Sequence, residues 1–202
     1  MKRILILSLV VFGVVAFAST ASANVLGTLE LSGGYAKSGT EVTTTGDSWD
    51  GGLTFGAAYW RPVSPSISWG AEVSYDNLGS IDANYVDPFT LANVSESFSG
   101  KMFRINPAIR FNFGAPVGPS FFAQGGLGLY NFSMKYEYTD DTPMSLSADD
   151  SQSKMGFNVG AGVNFPVGPK TKLNFQGTYH TVSTEGESVN YLQFRAGVGF
   201  GL

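Results

Sequence analysis

From Lys101 to Phe113 almost every second residue is bulky and apolar. Phe103, Ile105, Pro107, Ile109, Phe111 and Phe113 hold one parity, while Arg104, Asn106, Arg110 and Asn112 hold the other. Successive side chains of an extended strand point to opposite sides, whereas a helical face recurs every 3.6 residues. The segment therefore predicts a strand with one greasy and one polar face. No stretch after Asn24 shows apolar residues at helical spacing over three turns, and seven further segments repeat the two-residue period.

The first runs from about Val25 to Ala36, with Leu29, Leu31 and Tyr35 opposed to Thr28, Glu30 and Ser32. The second, Gly51 to Trp60, sets Leu53, Phe55, Ala57 and Tyr59 against Thr54, Gly56 and Ala58. The third, Ile67 to Asp76, sets Trp69, Ala71, Val73 and Tyr75 against Ser68, Gly70, Glu72 and Ser74. After the Lys101 segment comes Phe121 to Tyr138, whose far half loses phase; a bulge near Tyr130 is the expectation there. The sixth opposes Met155, Phe157, Val159, Ala161 and Val163 to alternating Gly and Asn. The seventh opposes Leu173, Phe175 and Tyr179 to Lys172, Asn174, Gln176 and His180. The eighth opposes Leu192, Phe194, Ala196, Val198 and Phe200 to Gln193, Arg195 and three glycines. Short Pro/Gly turns follow segments two, four and six, and longer polar loops at 38–50, 80–97 and 139–153 follow one, three and five. This predicts an antiparallel meander with one smooth end and one shaggy end.

Period two alone also fits a soluble sandwich or a lipocalin-like barrel. The polar face decides against them, because it mixes Glu30, Glu72, Arg104, Arg110, Lys172 and Arg195 with many of the 26 glycines. Small and charged residues together suit the narrow interior of a small barrel, so the aromatic face is expected to meet lipid. Trp60, Tyr75, Phe113, Phe121, Phe165, Tyr179 and Tyr191 lie near segment ends, where interfacial girdles would be. Zero cysteines and one histidine remove thiolate metal sites, a cysteine nucleophile and histidine-rich centres.

Residues 1–23 read as an export signal: Lys2 and Arg3, an apolar run from Ile4 to Phe17, then Ala21-Ser22-Ala23. The run is too short for a spanning helix. Residues 24–202 are expected to form one barrel domain. Lys2 and Arg3 leave with the signal, so 12 basic residues fall to 10 against 16 acidic ones, a formal charge of −6. Nucleic-acid binding is not expected of such a chain.

Phe121-Phe122-Ala123-Gln124-Gly125-Gly126-Leu127-Gly128, Gly156-Phe157-Asn158-Val159-Gly160-Ala161-Gly162-Val163 and the closing Phe194-Arg195-Ala196-Gly197-Val198-Gly199-Phe200-Gly201-Leu202 resemble the small outer-membrane β-barrel family that includes the OmpA transmembrane domain and OmpX. The resemblance covers nearly all of residues 24–202. It implies an all-β fold, an eight-stranded antiparallel up-and-down transmembrane β-barrel in the outer membrane of a Gram-negative-type cell. It further implies lipids including lipopolysaccharide and the barrel-assembly machinery as partners, and envelope integrity, adhesion, or contact with host or phage as roles. Members commonly end in phenylalanine; this chain ends in Leu202, with Phe200 two positions before.

The six charged residues on the polar face are the candidate site, read as an ion-pair ladder that plugs the lumen. Glu30 is expected to pair with Arg195, and Glu72 with Arg104 and Arg110. A narrow ion path along the same charges is the alternative. The loops concentrate acid at Glu41, Asp47 and Asp50; Asp82, Asp87 and Glu96; Asp140, Asp141, Asp149 and Asp150; Glu185 and Glu187. No calcium-loop spacing accompanies them, so neither metal ligand nor cofactor is assigned. A lipid A deacylase on a comparable barrel would need serine two residues after histidine. Here Val182 follows His180 at that spacing and Ser183 falls on the other face, so His180, Ser183 and Glu185 make no catalytic set. Gly160-Ala161-Gly162 lacks the strand-to-helix turn of a nucleotide site. No enzyme activity is expected. Intact-mass measurement of the exported protein should give a chain beginning at Asn24; retention of residues 1–23 would contradict the signal reading.

Overall fold

The computed structural model describes residues 27–39, 50–86, 92–114, 118–140, 145–183 and 188–202. Eight strands follow one another: β1 (Thr28–Ser38), β2 (Gly52–Pro62), β3 (Ile67–Val86), β4 (Asn93–Phe113), β5 (Ser120–Asp140), β6 (Ser145–Pro166), β7 (Thr171–Ser183) and β8 (Ser188–Gly201). Each pairs antiparallel with its sequence neighbour, and β1 pairs with β8 from Thr28↔Gly201 to Ser38↔Tyr191, closing the barrel. Residues 1–23, expected from the sequence to be an export signal, and Glu41, Asp47, Asp87, Asp141, Glu185 and Glu187, lie outside the described residues.

The burial pattern is that of a soluble barrel turned inside out. Leu127 and Phe194 are 65% and 58% exposed on the outer wall, while Arg104 and Arg110 are 0% and 2% exposed within. Glycine makes the interior wide enough. A Cβ on Gly128 would lie 2.4 Å from that of Asn106, and one on Gly162 would lie 2.4 Å from the Phe122 ring. Tyr75, Phe113, Phe121, Phe165 and Tyr179 are exposed near the ends of the apolar belt. Trp60 and Tyr191 are not: both are buried and turn into the lumen. Their parity explains the correction, since Trp60 shares the phase of Thr54 and Ala58, and Tyr191 that of Gln193 and Arg195.

The strands differ in length. β1 and β2 have 11 residues each, near the 9–11 that a tilted crossing strand uses, whereas β3 to β6 have 20 to 22. Much of the stretches at 80–97 and 139–153, expected as loops, is therefore strand, and four strands run on together past the other four. About ten extra residues extend them by roughly 30 Å. Along this extension the two faces exchange character. On β5 the outward side changes from Leu127 and Leu129 to Asn131, Ser133 and Lys135, while the inward side changes from Gly126 and Gly128 to Tyr130, Phe132 and Met134. This exchange, not a bulge, is the phase loss at Tyr130, since pairing with β4 and β6 runs through it in register.

The register shift falls instead in β3, between Asn77 and Gly79. Leu78 is the extra residue and is buried. Before it the inward parity is even, with Glu72, Ser74 and Asp76; after it Ile81 packs inward and Asp82 faces out. Gly79 has φ +94°, and a Cβ there would approach the Gly51 nitrogen to 2.5 Å, so both conformation and space require glycine.

Closure at the β1–β8 seam is tightest at Gly34. A Cβ at Gly34 would sit 1.9 Å from the Phe194 carbonyl oxygen, whereas one at outward-facing Gly177 would touch the Phe194 ring at an ordinary 3.4 Å. Gly34→Ala is expected to destabilise the barrel by about 1–3 kcal/mol and Gly177→Ala to be near neutral. Urea unfolding with heat-modifiable gel mobility checks the contrast.

Candidate functional site

Inward side chains stack into layers along the lumen. At the short-turn end Arg110, from β4, donates to both oxygens of Glu30 on β1 at 2.8 and 2.9 Å. Its Nε and Nη2 also donate to Gln124 Oε1 at 3.1 and 2.9 Å. The guanidinium carbon lies 3.9 Å from the Trp60 ring centroid and 4.0 Å from that of Phe122. A planar cation between two ring faces, with its hydrogens directed to acceptors at the edge, satisfies both its surfaces and its donors. Lys172 reaches Glu30 Oε1 at 2.8 Å from a position still partly open to solvent.

The middle layer is a shared carboxylate. Glu72 on β3 accepts from Arg104 Nη2 and, at 2.6 Å, from Arg195 Nη2. All three side chains are shielded from solvent, so each charge depends on the others for what water would supply. Arg104 also donates to Asn106 Oδ1 at 2.8 Å, Gln193 Oε1 at 3.0 Å and Asp76 Oδ2 at 3.2 Å. Every Arg104 nitrogen thus has an acceptor.

Asp76 anchors the third layer. It accepts from Tyr191 at 2.9 Å, Gln193 at 2.6 Å and Ser74 at 3.1 Å, and from Thr54. His180 stacks on Tyr191 with centroids 4.4 Å apart and planes 8° from parallel. Its ring nitrogens contact Tyr130 Oη at 3.2 Å and Gln193 Oε1 at 3.3 Å. Above this, Ala36, Leu78, Met102, Tyr130, Val182 and Tyr191 form an apolar layer, backed by Ile81, Phe132, Met134 and Val189.

All six charged residues on the polar face point inward, and of the expected pairs Glu72 with Arg104 forms while the other two do not. Glu30 meets Arg110 and Lys172, not Arg195; Glu72 meets Arg104 and Arg195, not Arg110. Register is the reason. Arg195 sits opposite Gly34, four residues along β1 from Glu30, while Arg110 sits opposite Ser68, four residues from Glu72. The sequence reading left out Asp76, Gln193, Tyr191, Tyr130 and Thr54, although each has the inward parity of its strand. Ser183 is exposed on the face opposite buried His180. Among the described residues no group of three or more acidic or histidine side chains is placed to hold a metal.

An aromatic belt outside, an ion-paired interior and complete closure define a transmembrane β-barrel, because closure is how a sheet satisfies its backbone groups in hydrocarbon. The chain belongs to the family described as outer membrane protein beta-barrel domain, whose model matches residues 4–201. That membership places it in the outer membrane. Among solved structures it is similar to neisserial surface protein A, with TM-score 0.55 and 15% identity over 87% of this chain and 96% of that one. It is also similar to the N-terminal β-barrel domain of Pseudomonas aeruginosa OprF, with TM-score 0.51 and 14% identity over 87% and 98%. No curated protein sequence matches it significantly. These likenesses concern the fold.

Replacing one partner of a shared buried charge strands the others. Glu72→Gln, which leaves Arg104 and Arg195 facing each other, is expected to cost about 3–5 kcal/mol. Lys172→Gln, at the wet end, should cost under about 1 kcal/mol. Unfolding in detergent micelles measures both; equal effects would deny the layered arrangement.

Proposed function

We propose that this chain is exported by its first 23 residues and acts in the outer membrane without catalysis, through structure and surface contact. The lumen is a plug. The observation that carries this reading is the succession of filled layers: Arg110 held between two rings, Glu72 shared by two guanidiniums, and the apolar layer of Leu78, Met102 and Tyr191 above them. A hydrated ion would have to displace paired charges and then cross side chains that offer it no ligands.

With the interior closed, contact falls to the outer wall and to the extension of β3 to β6. The wall meets acyl chains and the lipid headgroups at its rim. The extension is large enough to carry an adhesive or envelope-supporting contact, and its acidic residues, including exposed Asp82 and Asp150, offer charge to host or phage molecules. Lipopolysaccharide and the barrel-assembly machinery are the envelope partners this reading requires.

Purified protein in planar bilayers is expected to show no unitary current steps. Shortening β3 to β6 to the length of β1 should leave a heat-modifiable barrel and abolish its binding to cells. Stepwise conductance from the intact chain would overturn the plug and favour a narrow channel along the same charges.

A further inference from the structure

The extension carries a carboxylate among phenol rings. Glu96 on β4 lies across from Ala83 on β3 and Tyr138 on β5. Tyr85, two residues beyond Ala83, donates its hydroxyl to Glu96 Oε1 at 2.9 Å. Tyr136, two residues before Tyr138, has its ring 4.7 Å from that of Phe98. Strand alternation puts Tyr85, Glu96, Tyr136 and Tyr138 on the inner face of the sheet, within the reach of lateral and diagonal neighbours. Three tyrosines therefore surround one carboxylate.

The charges nearby leave that carboxylate available. Lys101 and Lys135 stand on the opposite, outer face, where Lys135 pairs with Glu137. Among the described residues no cation pairs with Glu96. The hydrogen bond to Glu96 pushes the Tyr85 phenol up to about 12, so the ring stays neutral and the cluster keeps the single negative charge of Glu96. Tyr85 and Leu146 on this face are 46% and 64% exposed, so solvent and solutes reach it.

We propose that this face binds organic ammonium ions, with the quaternary ammonium of a choline group as the class it fits. Ring faces present negative charge to a cation, and a carboxylate beside them supplies the net attraction. A quaternary ammonium asks for no hydrogen-bond acceptor, which suits a site whose Tyr85 hydroxyl and Glu96 oxygen are already joined. A phosphate or sulfate would meet repulsion here with no cation to offset it. A neutral sugar could donate hydrogen bonds to the carboxylate but would forgo the charge attraction that a cation gains there.

This inference rests on the surface-contact reading and adds a ligand class to it. The test uses the full folded chain in a polyoxyethylene detergent, which carries neither ammonium nor sugar, and follows tyrosine ring resonances by NMR. Tetramethylammonium and choline should give saturable shifts at Tyr85, Tyr136 and Tyr138. The uncharged analogue 3,3-dimethylbutanol should bind at least about fivefold more weakly. Glu96→Gln and Tyr136→Ala, each checked for heat-modifiable mobility, should weaken choline by a similar factor, while Glu137→Gln on the outer face should not. Glycerophosphocholine separates the sources: binding equal to choline identifies a lipid headgroup, and weaker binding identifies the free cation. Equal binding of choline and its uncharged analogue, an unchanged Glu96→Gln, or saturation by a methyl glucoside but not by choline would overturn the site. Each of these failures leaves the conductance and cell-binding results untouched, so the two readings fail separately.

Discussion

Hydrocarbon offers no hydrogen bond, and the rest of this molecule depends on that absence. A backbone N–H or C=O that reached the membrane unpaired would cost several kcal/mol, so a sheet can cross only by joining its first strand to its last. The pairing of Thr28 through Ser38 with β8 is that join. Once eight strands close, their interior is too narrow for an ordinary core of large apolar residues on every inward position. The interior combines tiny residues and long polar ones, and the bulky apolar residues go to the wall, where lipid receives them.

Charge in such a space has to be complete. Glu30, Glu72 and Asp76 each collect two or more donors from different strands, and Arg110 gains ring faces as well as acceptors. Where these contacts join strands that are not neighbours in the sheet, as Glu30 with Arg110 and Glu72 with Arg195 do, they brace the barrel across its diameter, in a direction backbone hydrogen bonds do not span. Arg104 from β4 reaches β3 and β8 together.

Much of this was legible in the alternation of residues, since side-chain parity needs no tertiary information. The eight strands, the short turns, the lipid-facing belt and the inward direction of Glu30, Glu72, Arg104, Arg110, Lys172 and Arg195 all follow from it. Partnership followed for Glu72 with Arg104 but not for the rest, because strand tilt offsets residues that seem level in the sequence, and a four-residue offset separates Arg195 from Glu30. Trp60 and Tyr191 were misassigned for a different reason. Their aromatic character suggested an interface, while their parity already pointed inward. The strands past the membrane were read as loops because their polar and apolar faces exchange sides there, so a rule of greasy residues outward stops working where water begins.

The extra residue at Leu78 has a consequence for how such an extension can change in length. Below it β3 counts inward positions on even numbers and above it on odd ones, so the bulge acts as a phase adjuster between two solvents. Adding or removing a pair of residues above that point preserves which side chains face the tyrosines and which face the sea of water around them. A single inserted residue would exchange the two sets along one strand alone, and only a second bulge would restore them. Variation in this projecting sheet is therefore channelled into even steps, with glycine-borne irregularities as the places where an odd step can be absorbed.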